Sequence, residues 1–138
     1  MPPTTTILRH VPVCTPQLRL NGGDAVWLGS VVLVDGQAAS LVALFLAVVS
    51  VGGKLSKKVD SSLPAVYAGI YAGESVDPEA QPLRYVGLDF GTGFTPLPPR
   101  VVPEARGPTR VRVYAVNNMA DVESWATVCV TGALCVEG

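Results

Sequence analysis

Thr109-Arg-Val-Arg-Val-Tyr-Ala-Val116 and, past a short polar stretch, Trp125-Ala-Thr-Val-Cys-Val-Thr-Gly-Ala-Leu-Cys-Val136 decide the fold class. Both runs alternate with a period of two, the spacing at which successive side chains of a strand point to opposite faces. In the first run Val111, Val113 and Ala115 fall on one side, and Arg110, Arg112 and Tyr114 on the other. In the second, Val128, Val130, Leu134 and Val136 share a face opposite Trp125, Thr127, Cys129, Thr131 and Cys135. Asn117-Asn118 marks the turn region between them. Two adjacent strands, each apolar on one side, require a second layer to cover that side.

Working towards the N-terminus, the same β signals recur. Val26-Trp-Leu-Gly-Ser-Val-Val-Leu-Val34 is rich in β-branched and large apolar residues and runs into Asp35-Gly36. That dipeptide is a strong signal for a two-residue type I′ hairpin, because it supplies both positive-φ positions. Such a turn sets Val34 opposite Gln37 and Trp27 opposite Leu44. The apolar run Ala39–Val49 then forms the return strand, with a buried helix over Gln37–Val49 as the alternative that periodicity leaves open. Ala65–Tyr71 and Leu83–Phe90 read as strands flanking a polar loop, with Arg84 at the edge of the face shared by Val86, Leu88 and Phe90. Gln17–Leu20 adds a short strand. Thr95–Pro108 holds five prolines, which lack the N–H a ladder needs, and reads as an extended loop. The expected fold is all-β: one antiparallel β-sandwich or jelly-roll-like domain over residues 1–138. It has about seven or eight strands, an extended N-terminal arm over Met1–Pro16 and a Pro-rich loop over Thr95–Pro108.

Composition bounds what such a domain does. The 138 residues are 49% apolar and only 15% charged, against about 25% charged in average domains. Ten basic and eleven acidic groups give a net charge of −1, which argues against nucleic acid as a partner and against disorder. With a mean hydropathy of +0.39, charge at ordinary density does not cover the surface, so apolar area is expected to be buried against other subunits. Lipid is the rival cover. The longest apolar run, Ala38–Val51, has 14 residues, short of the about 20 that span a bilayer as a helix. No basic segment followed by an apolar stretch opens the chain, so a secretory signal is not expected. Cys129 and Cys135 would lie about 20 Å apart along one strand, beyond disulfide reach, and Cys14 has no evident mate. Synthesis in a reducing cytoplasm follows.

Chemistry-bearing motifs are sparse. Val86-Gly-Leu-Asp-Phe-Gly-Thr-Gly93 resembles the phosphate-1 loop of actin-like ATPases and sugar kinases over eight residues. That resemblance implies an Asp and a Gly-rich turn gripping magnesium and phosphate. Those enzymes need a second lobe, for which this chain is too short, and Pro96-Leu-Pro-Pro99 breaks the strand that should follow. Asp89-Phe90-Gly91 spells the kinase metal-binding triplet without the other kinase motifs. His10 is the only histidine, so a nucleophile–base pair or a zinc site would have to recruit it from a Pro-flanked segment, and the Cys spacings do not match zinc ligands. Asp77 with Glu79, and Asp121 with Glu123, read as solvated turns.

What remains are interface candidates. Arg100, Arg106, Arg110 and Arg112 form the one basic cluster, diluted by Glu104, and fit the rim of a subunit contact. Trp27, within an apolar run, is assigned to the core. Trp125 and Tyr114, on the less apolar faces, are assigned to an interface. No catalytic residue, cofactor or metal is expected. The leading expectation is a non-enzymatic structural subunit of a large symmetric assembly, a virion component such as a small capsid, penton-like or decoration protein, with self-association or fellow subunits as partners. The alternative is a ligand-binding β-sandwich module for a sugar, peptide or protein, acting through loops such as Gly73–Pro82. A cleft lined by Trp125 and Tyr114 would favour the second; a broad apolar flank would favour the first.

Overall fold

A computed structural model describes residues 8–54, 57–73, 81–89, 91–98 and 102–138. Nine strands follow in chain order: β1 (Leu8–Asn21), β2 (Ala25–Leu33), β3 (Ala38–Gly52), β4 (Val66–Ala72), β5 (Arg84–Leu88), β6 (Gly93–Pro96), β7 (Ala105–Arg106), β8 (Thr109–Asn117) and β9 (Trp125–Glu137). They form two antiparallel sheets packed face to face. The first has the order β1-β9-β3-β6, with the two-residue β7 also on β3; the second has the order β2-β8-β4-β5. The all-β sandwich expected from the alternating runs is therefore the observed fold, and Ala38–Gly52 is a strand.

The pairing is nested. β1 pairs with β9, β2 with β8, β3 with β6 and β4 with β5, so the first half of the chain meets the second in reverse order. Among the described residues, only β4 and β5 are consecutive strands that pair with each other. Each step from β1 to β4 crosses from one sheet to the other.

That winding overturns the hairpin expected at Asp35-Gly36. β2 and β3 lie in opposite sheets and do not pair. Gly36 has φ +89°, but no non-glycine residue among those described has a positive φ, so Asp35 does not supply the second position that type I′ needs. The turn closes with Gln37 N–H donating to the Val34 carbonyl at 3.1 Å, while the Gln37 side-chain oxygen accepts from Val34 N–H at 2.9 Å. A single positive φ at the second central residue fits a type II turn, which splays the flanking strands instead of pairing them.

The inner faces are the ones the alternation marks. Val111, Val113 and Ala115 of β8 meet Val128, Val130 and Leu134 of β9, all of them almost fully buried. Val66, Ala68 and Ile70 of β4 and Leu41, Leu44 and Leu46 of β3 complete the slab. Where β1 and β2 come together at one side of the sandwich, Gly29 makes the approach possible. A Cβ there would stand 2.7 Å from Val13 Cγ1 and 3.0 Å from the Pro12 carbonyl oxygen.

Two further expectations change. The arm assigned to Met1–Pro16 is strand from Leu8 onward, because Val11, Val13 and Thr15 face inward against β9's side of the core. Residues 1–7 lie outside the described residues. Pro12 and Pro16 are tolerated because β1 is an edge strand. The Pro-rich segment, in turn, lies along β3 in its described parts, residues 99–101 lying outside them. Thr95 and Pro96 belong to β6, Leu97 N–H donates to the Leu44 carbonyl and Glu104 N–H to that of Ala39. Its non-proline residues supply the donors that its prolines lack.

Candidate interaction surfaces

The outer face of the second sheet gathers aromatic side chains. Cross-strand register sets Trp27, Tyr114, Gly69 and Tyr85 side by side across β2, β8, β4 and β5, with Tyr67 and Tyr71 in the flanking rows. All four tyrosines of the chain are therefore on this one face. Trp27 and Tyr114 meet edge to face at 5.5 Å between centroids, Tyr71 and Tyr114 at 5.7 Å, and Tyr67 and Tyr85 at 6.1 Å. Trp27, at 45% exposure, is not the core residue its apolar neighbours suggested. Val26 and Leu28 on either side of it take the inward positions.

Arg112 lies within this cluster. It is 6% exposed, its guanidinium lies 5.5 Å from the Trp27 ring centroid, and it donates to the Gly73 carbonyl at 3.3 Å. The hydroxyls of Tyr67 and Tyr71 are 3.2 Å apart. Burial pushes both above the ordinary phenol value, Tyr71 the further.

One end of the same face is covered by the segment before β4. Asn118 fixes that segment: its amide nitrogen donates to the carbonyls of Asp60 at 2.8 Å and Pro64 at 3.1 Å, and its side-chain oxygen accepts from Asp60 N–H at 3.1 Å. Asn117, fully buried, donates to the Leu20 carbonyl at 3.0 Å and accepts from Met119 N–H. The two asparagines read as a simple turn are thus internal fasteners. Between this segment and β8 lies an open groove of about 530 Å³ lined by Val59, Asp60, Leu63, Tyr67 and Asn118. Its carboxylate is engaged. Asp60 accepts from Ser62 Oγ at 2.6 Å, from Ser62 N–H at 2.9 Å and from Gln81 Nε2, and the Ser62 bonds hold its pKa below the usual carboxylate value.

The outer face of the first sheet is the opposite in character. Phe45, Thr131 and Cys14 stand in one row across β3, β9 and β1; Ala43, Ala133 and Pro12 stand in the next. Ser40, Cys135 and His10 form a third. All three cysteines, each a free thiol, and the only histidine lie here. Cys129 lies on this face two residues from Thr131, its thiol 3.8 Å from the Thr15 carbonyl oxygen. Among the described residues no group of three or more His, Cys, Asp or Glu side chains is placed to hold a metal.

The expected interface residues do not form one patch. Trp125 is on the outer face of the first sheet, at its far end, packed on Gly52 with Arg19 4.5 Å above its ring. Tyr114 is on the outer face of the second sheet, so no cleft holds both. Arg110 and Arg112 belong to the second sheet, Arg106 to β7 on the first, and Arg100 lies outside the described residues. Glu104 does not dilute that cluster: with 1% of its side chain exposed, it pairs with Arg84 at 2.7 Å, and Arg84 also donates to the Pro98 carbonyl.

The motif resembling a phosphate-1 loop is the crossover between sheets. β5 ends at Leu88 in the second sheet and β6 starts at Gly93 in the first. Asp89 is tied to Lys58 at 3.0 Å, which lowers its pKa. Of the carboxylate pairs, Asp121 accepts from Glu123 N–H at 2.9 Å in a turn, while Asp77 and Glu79 lie outside the described residues. No helix among the described residues is long and apolar enough to cross a membrane. Comparison with protein families, curated proteins and solved structures returns no match.

Proposed function

We propose that the chain is a non-enzymatic structural subunit of a large symmetric assembly, a virion component of the small capsid, penton-like or decoration kind. The observation that carries this reading is the broad outer face of the first sheet, free of Asp, Glu, Lys and Arg through its middle rows, on three main strands of 13 to 15 residues. Leu8, Val42, Val49 and Phe94 stand exposed on its strands, and large apolar patches are uncommon on monomers. The nested strand pairing adds to it. We read that pairing as a jelly-roll winding, an architecture used by capsid proteins as well as by lectins and cupins. The step from architecture to virion is by analogy. Partners are further copies or fellow subunits, met after synthesis in the cytoplasm.

A second reading, a ligand-binding module, draws on the second sheet, where Trp27 and Tyr85 remain 45% and 40% exposed beside the buried Tyr67 and the half-buried Tyr71 and Tyr114. It calls for a ligand-dependent rise in Tm.

Light scattering of the purified chain, with negative-stain imaging of the same fraction, separates the two. Trimers, pentamers or closed particles are expected. A stable monomer at micromolar concentration overturns the subunit reading.

A further inference from the structure

We propose that the outer face of the first sheet is the contact between two copies of this chain, packed sheet against sheet about a two-fold axis. This deepens the subunit reading and rests on it. The area suits the purpose. Three strands of 13 to 15 residues, at about 3.3 Å per residue and about 4.8 Å between strands, make a flat area of roughly 600 Å² before side-chain relief is counted. A stable interface takes about 800 Å² of accessible surface from each partner. Phe94, exposed and stacked on Phe45 at 5.6 Å, widens the face on the β6 side.

The charge pattern points to a second copy. Through the middle of the face the rows carry Cys, Thr, Ala, Pro, Ser and Phe, with His10 on the edge strand, and no Asp, Glu, Lys or Arg. Charges mark only its ends. Arg19 stands in the row with Thr127 and Ser50; Glu137 stands in the row with Leu8 and Ala38, with Arg106 beyond Ala38 on β7. A two-fold axis in the plane of the contact, perpendicular to the strands, lays the Arg19 end of one copy over the Leu8–Glu137 end of the other. The same patch thereby complements itself, as an isologous interface must. Edge-to-edge pairing through β1 is disfavoured, because Pro12 and Pro16 interrupt its row of donors.

The cysteines report on the contact. Cys14 is exposed on the described chain and lies in the row of Thr131 and Phe45, at the middle of the face. Alkylation of the full chain with N-ethylmaleimide, read by mass spectrometry at concentrations above and below the association midpoint found by light scattering, is the test. Cys14 labelling is expected to slow at least tenfold in the assembled fraction. Thr131→Lys, at an exposed position, is expected to lower the native mass while the far-ultraviolet circular dichroism stays that of a β protein. Arg19→Glu and Glu137→Arg are each expected to weaken association, and together to restore it. Assembly with Cys14 labelled as fast as in the dissociated chain overturns the face while leaving the subunit reading intact. Equally slow labelling in both states assigns the cover to the chain itself and also overturns the proposal. A monomer at every concentration overturns both.

Discussion

On the outer face of the second sheet, Trp27 leans on Tyr114, Arg112 stacks on Trp27, and Asn118 holds the 57–64 segment across the end of the tyrosine rows. On the outer face of the first, the central rows carry nothing larger than Phe45, and no loop among the described residues is fastened over them. Both sheets share one core and differ in what covers their backs. A sheet that covers itself needs large side chains and buried polar fasteners, each of which must find a hydrogen-bond partner. A sheet covered by another molecule needs little charge at its centre and a shape on which the partner can pack closely. On the subunit reading proposed above, the contrast separates the face that the chain covers itself from the face assigned to a partner.

The sharpest break of that comparison uses two neighbouring residues on β9. Val130→Asp places a carboxylate in the shared core, where Val130 is 1% exposed, and is expected to cost more than about 3 kcal/mol and leave the domain unfolded or close to it. Thr131→Asp, one residue on and pointing out, is expected to change monomer stability by less than about 1 kcal/mol while weakening association. Urea denaturation measures the first effect and light scattering the second. Equal losses of stability at both positions would mean that the first sheet does not have an inner and an outer face of the kind described.

Asn118→Ala comes next. Its amide donates to the Asp60 and Pro64 carbonyls from a buried position, and leaving those groups unpaired is expected to cost about 2 kcal/mol. Amide exchange should quicken over residues 57–64, whereas Cys14 alkylation on the other face should not change. A coupled change at Cys14 would show that the two faces are not independent. Arg112→Ala is smaller still, about 1 kcal/mol from the lost stacking on Trp27, read as a lower Tm. Because the guanidinium is buried within its own sheet, the variant is expected to leave the salt dependence of association as it was. A rim residue would alter it.

The inner faces are legible because burial imposes period two on the chain itself: the residues of β8 and β9 assigned inward are all buried. Pairing was not legible. Asp35-Gly36 signals a local hairpin, yet strand partners here are set by the nested winding, in which β2 finds β8 and β3 finds β9 and β6 from far along the chain. The same blindness grouped Arg106 with Arg110 and Arg112. Arg106 is four and six residues from the other two in sequence but stands on the other sheet, because the chain crosses between sheets from β7 to β8. Trp27 was misplaced for a smaller reason: in a strand apolar on both sides, composition does not say which side is buried. That Arg84 and Glu104 pair could not be read either, since nothing local joins β5 to the Pro-rich segment.

The smallest expected effect concerns pH and again separates the two faces. The Ser62 hydroxyl and amide that donate to the Asp60 carboxylate lower its pKa from the ordinary 3.8. A carboxylate whose pKa is depressed by folding lends stability that is present above its unfolded value and is lost as pH falls through its folded one. The window therefore lies below about pH 4. The Ser62 amide resonance is expected to titrate there with a midpoint below 3.8, and Asp60→Asn is expected to flatten that titration without changing Tm measurably at neutral pH. The Thr131 amide, on a face whose middle rows carry no carboxylate, is expected not to follow it. If both amides shift together, acid loosens the domain as a whole, and the independence of the two outer faces fails. If neither shifts, the Ser62 bonds do not hold Asp60 in solution, and the fastening of the 57–64 segment rests on its remaining ties, those of Asn118 and the Lys58–Asp89 pair among them.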